Sequence, residues 1–263
     1  MHLFILLFTL FFTQTASAFQ IRLIDYTLEL DKGMNSTTAT VVNDSENMIA
    51  IEASARIRKY NPDGTENFET VADNLIIIPG QMIVPPNGEQ VLNIRWTGPK
   101  KIESEEAFRL LIEYVSISED KLKGIEPADK KAGVVINYRI AKSFYVVPKN
   151  ASPDVRLQKV QQYNKEGTDF LRLSFENVGT MHQIAHAVNV NFTTTSEETI
   201  PISFGKTELK SSINFLAASS RTVDVVLPSE LRGKQIATAT IIDFAVPVQD
   251  VPTETVPSKE PSE

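Results

Sequence analysis

Two short clusters carry the residue types from which metal or phosphate chemistry is built. His182-Gln183-Ile184-Ala185-His186 places two imidazoles four residues apart. On a helix that spacing puts both rings on one face, where they could share a zinc ion. Gln183 stands where a zinc protease needs a glutamate as base, and the run continues into the alternation His186 to Phe192, which is a strand pattern. Gly205-Lys206-Thr207 matches the end of a phosphate-binding loop, whose first glycine would fall at position 200. That position is Ile200, with Pro201 behind it, so the triplet reads as a turn leading into a strand. Three histidines, His2 among them, and no cysteine supply nucleophilic triads poorly. The carboxylates are scattered over turns and exposed strand faces. No catalytic centre, metal or cofactor is expected.

With the clusters set aside, the elements around them define the chain. Its 263 residues suffice for two domains with buried cores. A net charge of −7 gives no support to a nucleic-acid partner, which favours a basic surface. Met1 to Ala18 read as a secretory signal: a short apolar run ends in the small-x-small pattern Ala16-Ser17-Ala18, with cleavage near Phe19. The run falls short of the roughly twenty residues of a membrane-spanning helix, so the mature chain is not expected to insert in a membrane. Four Asn-x-Ser/Thr triplets begin at Asn35, Asn43, Asn150 and Asn191. They would fit glycosylation in a eukaryotic route, but an extracellular domain of that origin usually carries disulfides. The bacterial periplasm is the expected compartment.

Strand signals repeat along the chain and strong amphipathic-helix patterns are lacking. Gln20 to Leu30 form one candidate, closed by Asp31-Lys32-Gly33. Ile49, Ile51, Ala53, Ala55 and Ile57 then alternate against Glu52, Ser54, Arg56 and Arg58. Asn61-Pro62-Asp63-Gly64 turns the chain, and Pro79-Gly80 breaks the run Leu75 to Ile78. Ser118 to Lys131 is a charged loop. Lys149 to Pro153 mark a hinge, beyond which six more short strand candidates follow, from Asp154 to Val246. Residues 19–148 and 149–248 are therefore expected as two immunoglobulin-like sandwiches, each of about seven strands in about a hundred residues. Gln249 to Glu263, rich in proline and acid, are expected to be disordered.

One segment departs from this rhythm. From Gly133 to Pro148 the even positions are Val134, Ile136, Tyr138, Ile140, Lys142, Phe144 and Val146. Such alternation predicts a strand over 133–147, more than twice the usual length of about five or six residues. A strand that long crosses a very large sheet or projects beyond its own, leaving an apolar edge to be covered.

Read in order, IVPPNGEQVLNIRW, EEAFRLLIEYVSI and VVINYRIAKSFYVVP resemble the periplasmic chaperones of the chaperone–usher pathway. The last looks like the tyrosine- and arginine-bearing donor strand of the archaic and alternative branches. FENVGTMH resembles the family's N-x-G-x-x-H segment, and FLAASSRTVDVVLP its later strand, although the family's glycine is absent there. The likeness spans residues 19 to 248.

The resemblance implies an all-β fold of two immunoglobulin-like β-sandwich domains set at an angle. It implies that the strand is lent to a pilin subunit lacking its own last strand, and that the loaded chaperone delivers the subunit to an outer-membrane usher. Val134, Ile136, Tyr138 and Ile140 would fill the subunit's groove. A lysine on this strand and an arginine on the first strand hold the subunit's terminal carboxylate in better-known branches. Lys142 occupies the comparable place, but Thr27 falls where the arginine should be. Arg109 and Arg95 are candidates for the second charge. The free chain could cap itself by dimerising through the same edge. A secreted β-sandwich adhesin or fimbrial structural subunit is the alternative, although a subunit would carry its donor segment at the N-terminus.

Overall fold

The computed structural model of the protein describes residues 19–23, 26–61, 63–115 and 139–245. The expected signal, the loop 118–131, the strand residues 133–138 and the tail 249–263 lie outside the described residues. Two compact units emerge. The first runs to Ile57 and takes in Phe68–Lys100 and Phe108–Val146; the second takes Arg58–Asn67, Lys101–Ala107 and the chain from Val147 onward.

The strands of the first half are β1 (Phe19–Leu23), β2 (Thr27–Glu29), β3 (Ser36–Asn43), β4 (Ile49–Ile57), β5 (Lys59–Tyr60), β6 (Glu66–Asn67), β7 (Leu75–Ile78), β8 (Gln81–Val84), β9 (Gly88–Trp96), β10 (Glu106–Tyr114) and β11 (Arg139–Val147). In the first unit, one sheet has the order β1-β3-β9-β7 and the other β2-β11-β10-β4-β8. This is the immunoglobulin layout, with first, second, fifth and fourth strands in one sheet and last, sixth and third in the other. Alternation sets the core. Ala39, Val41, Leu92, Ile94 and Trp96 are buried on one sheet, and Ile51, Ala53, Phe108, Leu110, Ile112, Phe144 and Val146 on the other. The Trp96 and Phe108 rings meet edge-on at 6.2 Å, a favoured aromatic geometry.

The expected single first strand is in fact two. β1 pairs with β3, register Phe19 opposite Asn43, while β2 lies beside β11 in the other sheet. Each half finds a different ladder partner, which sequence periodicity cannot show.

The second unit contains β12 (Val155–Lys165), β13 (Thr168–Asn177), β14 (Gln183–Ala185), β15 (Ala187–Thr194), β16 (Thr199–Phe204), β17 (Ile213–Phe215), β18 (Ser219–Val226) and β19 (Ile236–Ala245). Its sheets have the orders β12-β13-β18 and β16-β15-β19, with β14-β17 as a small pair. Phe175, Phe192, Phe204 and Phe215 anchor the core, with Phe175 and Phe215 centroids 5.0 Å apart. The hairpin β5–β6 also belongs to this unit and closes the outer edge of β18. Gly64 there has φ +83, and a Cβ would come within 2.4 Å of the Thr222 carbonyl oxygen, so only glycine allows that approach. Arg221 of β18 stacks on the Tyr60 ring at 4.4 Å and donates to the Tyr60 hydroxyl at 2.7 Å. A single helical turn, α1 (Lys206–Leu209), packs beside β18 as well. The turn at Gly205 was expected to lead into a strand. It enters a helix instead because the Gly205 N–H donates to the Glu208 carboxylate at 2.9 Å and Leu209 is buried.

A buried asparagine closes β3 and another closes β13. The Asn43 amide donates to the carbonyls of Asn47 and Pro85 at 2.8 and 2.9 Å, and its oxygen accepts the Ser45 N–H. The Asn177 amide donates to the Met181 and Phe215 carbonyls at 2.8 and 3.0 Å, and its oxygen accepts from Asp154 and Gly179. Fully satisfied, each fixes the loop after its strand without a desolvation penalty.

Candidate functional site

β11 divides into two halves with different surroundings. Phe144, Tyr145, Val146 and Val147 are buried, so this end is enclosed on both faces of the sheet. Arg139 and Ala141 are exposed, and Ile140, Lys142 and Ser143 are half-buried. On one side the strand pairs with β10. On the other lies β2, three residues long against nine in β11. Tyr145 donates its N–H to the Tyr26 carbonyl at 3.0 Å. Among the described residues β2 is the strand that borders this edge of β11.

Of the four expected groove-filling residues, Ile140 is on β11; Val134, Ile136 and Tyr138 lie outside the described residues. Lys142 shares the inward parity of Phe144. Its side chain lines a small cavity with Ala39, Ile77, Leu92, Ile94, Leu110 and Ile112, drawn from both sheets. Arg109 stands on the opposite face of β10, where its guanidinium donates to the Ser143 hydroxyl at 2.7 Å. Arg95 is exposed on the outer face of β9, opposite Ser36 and Ile76. The three cations thus occupy three different faces and do not converge.

The register brings up a residue that periodicity missed. Arg56 of β4 lies directly opposite Arg109. Directly opposed residues have Cα atoms only about 4.5–5.5 Å apart, and like charges there are unfavourable unless something offsets them. Arg56 donates to the Glu69 carbonyl at 3.0 Å, and Arg139, on the same face, is held by Glu113 at 2.7 Å. Only the pairing register, invisible in a linear sequence, could have singled out Arg56.

The two histidine positions separate. His182 Nδ1 lies 2.7 Å from a Glu105 carboxylate oxygen, and His186 Nδ1 lies 2.7 Å from the Ser212 hydroxyl. Strand β14 runs between them, so their side chains do not share a helix face. Among the described residues no three His, Cys, Asp or Glu side chains group as metal ligands. The FENVGTMH segment is architectural: Asn177 pins its loop, and a Cβ on Gly179 would press within 2.3 Å of the Asp154 backbone nitrogen. Among the described residues no helix is long and apolar enough to cross a membrane.

No protein-family model and no curated protein matches this sequence. Solved structures do match the course of its backbone, and the neighbours are pilus and fimbrial chaperones. One is the CsuC–CsuE chaperone–tip adhesion subunit pre-assembly complex from the archaic chaperone–usher Csu pili of Acinetobacter baumannii. It is 16% identical over 81% of this chain and 88% of that chain, with a TM-score of 0.49. The class 5 fimbriae chaperone CfaA is 15% identical over 87% of this chain and 100% of its own, with a TM-score of 0.47. The E. coli chaperone DraB is 14% identical over 87% and 97%, with a TM-score of 0.46.

Proposed function

We propose that this protein is a periplasmic chaperone that binds, folds and caps pilin subunits by lending them the strand that ends in β11, then delivers them to an outer-membrane usher. The observation that supports this most is the edge of β11. The strand is anchored at its buried end by Phe144 and Val146, and the sequence leading into it carries the alternation Val134, Ile136, Tyr138 and Ile140. Backbone hydrogen bonds add only about 0.5–1.5 kcal/mol each. Fully burying an aliphatic side chain is worth about 1.5–3 kcal/mol, so four give roughly 6–12 kcal/mol as an upper bound. The side chains therefore carry the affinity and the backbone sets the register. No covalent chemistry is required.

For the subunit's terminal carboxylate, Arg109 with Arg56 opposite is favoured over Lys142, whose side chain faces the apolar cavity. A carboxylate at this face would accept charge-assisted hydrogen bonds from the guanidiniums. A free chain could cover the same edge by pairing with a second copy.

Co-expression of the tagged chain with pilins from the same locus tests the reading. A one-to-one complex is expected, and Ile136→Asp with Tyr138→Asp should abolish it. Capture unchanged in the double variant would refute the strand assignment, and failure of every pilin to co-purify would favour an adhesin.

A further inference from the structure

Asn87 is the only asparagine of the chain that precedes a glycine. Gly88 has no side chain to shield its backbone nitrogen from the neighbouring amide. Pro85 to Gly88 form the turn between β8 and β9. The Gly88 N–H donates to the Pro85 carbonyl at 3.2 Å, with Pro86 and Asn87 as the central residues. Asn87 has φ +48, in the left-handed region that asparagine tolerates better than most side chains. Its N–H donates to the Ser45 carbonyl at 3.0 Å. The side chain itself is exposed, and among the described residues it has no partner. Asn43 and Asn177, by contrast, are buried with their amides held by backbone carbonyls.

We propose that Asn87 is a site of spontaneous deamidation, a slow covalent change that gives the protein a second, more negative form. A base in the solvent takes the proton of the Gly88 N–H, and the nitrogen attacks Asn87 Cγ. The N–Cγ bond forms, the Cγ–Nδ2 bond breaks, and ammonia leaves with a proton from water. Water then opens the succinimide at one of its two carbonyls, leaving aspartate or isoaspartate. The turn sets the pace: the Gly88 N–H must leave the Pro85 carbonyl before the ring can close, so the reaction runs through local openings. Isoaspartate adds a methylene to the main chain where Gly88 stands opposite Asn43 in the β3–β9 ladder. Even a Cβ on Gly88 would meet Pro85 Cγ at 2.6 Å, so the lengthened chain cannot keep the same turn. Asp63-Gly64 is the contrast, because aspartate before glycine closes the same ring. The Asp63 carboxylate accepts the Thr65 N–H and hydroxyl at 2.9 and 2.6 Å, and Gly64 is packed against the Thr222 backbone. That pair is held on both sides, whereas the Asn87 amide is not. The inference does not depend on subunit binding.

Ageing the purified full chain in mildly alkaline buffer tests it, read by ammonia release and by electron-transfer mass spectrometry of its peptides. Ammonia loss is expected at Asn87 before any other asparagine, at a rate proportional to hydroxide concentration, with aspartate and isoaspartate both formed. A synthetic peptide of residues 83–92 should react faster than the folded chain, because it has no turn to open. Asn87→Gln should abolish the loss at this position. If that variant does not fold, Asn87→Asp should carry the added charge from the start and release no ammonia here. An intact Asn87 in the folded chain after the peptide has fully converted would overturn the proposal. So would loss that comes first at another asparagine, or isomerisation of Asp63 as fast as the change at Asn87.

Discussion

The two sandwiches part at their final strands. In the first unit the sixth strand, β10, lies between β11 and β4, and Phe108, Leu110, Leu111 and Ile112 are all buried. In the second unit β19, in the corresponding place, pairs with β15 among the described residues and has no buried residue. In the first unit the final strand, β11, lies beside the sixth and carries the buried Phe144 and Val146. In the second, β12 and β19 are the edge strands among the described residues. β12 limits the liability with a register shift between Leu157 and Lys159 and with charged residues along the edge, two recognised ways of discouraging edge pairing.

Phe144 is fully buried on β11. Phe144→Ala should cost the first unit about 3–5 kcal/mol. The check is denaturant unfolding combined with amide exchange: β3, β4 and β10 should lose protection while β13 and β15 keep theirs.

Arg109→Ala should weaken subunit capture by about 1.5–3 kcal/mol, the range for a hydrogen bond to a charged group. Lys142→Ala should change capture less. Titration of both variants against one pilin separates the two cations, and the reverse order would place the carboxylate at the cavity.

Asn43→Ala and Asn177→Ala sharpen what the units share. Each removes a satisfied buried amide and strands its carbonyl partners, so each should cost about 1–3 kcal/mol. Unfolding midpoints should fall by similar amounts, because the two asparagines close corresponding strands.

The smallest effect belongs to Arg172 and Asp224, paired through two 2.7 Å hydrogen bonds on the outer face of the second unit. Those bonds hold the Asp224 carboxyl below the ordinary aspartate range. A carboxyl whose folded pKa is depressed contributes stability above its unfolded value, and the contribution is lost as pH falls through the folded one. Both side chains are more than a third exposed, so the loss should stay below about 1 kcal/mol. Melting temperatures of wild type and Asp224→Asn should diverge above pH 4 and converge in stronger acid.

Much of the fold was legible because alternation and turn chemistry act locally. The strands β4, β9, β10, β13 and β15 lie where apolar alternation predicts them, and Asp63-Gly64 turns as expected. Pairing was not legible. The division of the first strand between two sheets, the single helical turn after Gly205 and the opposition of Arg56 to Arg109 all depend on partners distant in sequence. For the candidate site, the alternation over 133–147 can be read in the sequence, but the faces on which Arg109 and Arg95 stand depend on pairing. That Lys142 lines a cavity with Ala39, Leu92 and Leu110 likewise depends on packing that the linear sequence does not show.

If the strand ending in β11 is lent to a subunit through its backbone edge and its apolar face, binding must protect its amides. Amide exchange across 134–142, with the free chain and the subunit complex compared at matched concentration, tests it most directly. Protection in this segment should rise on binding by at least about a hundredfold while β13 and β15 do not change. A stable complex in which 134–142 exchanges as in the free chain would contradict the account.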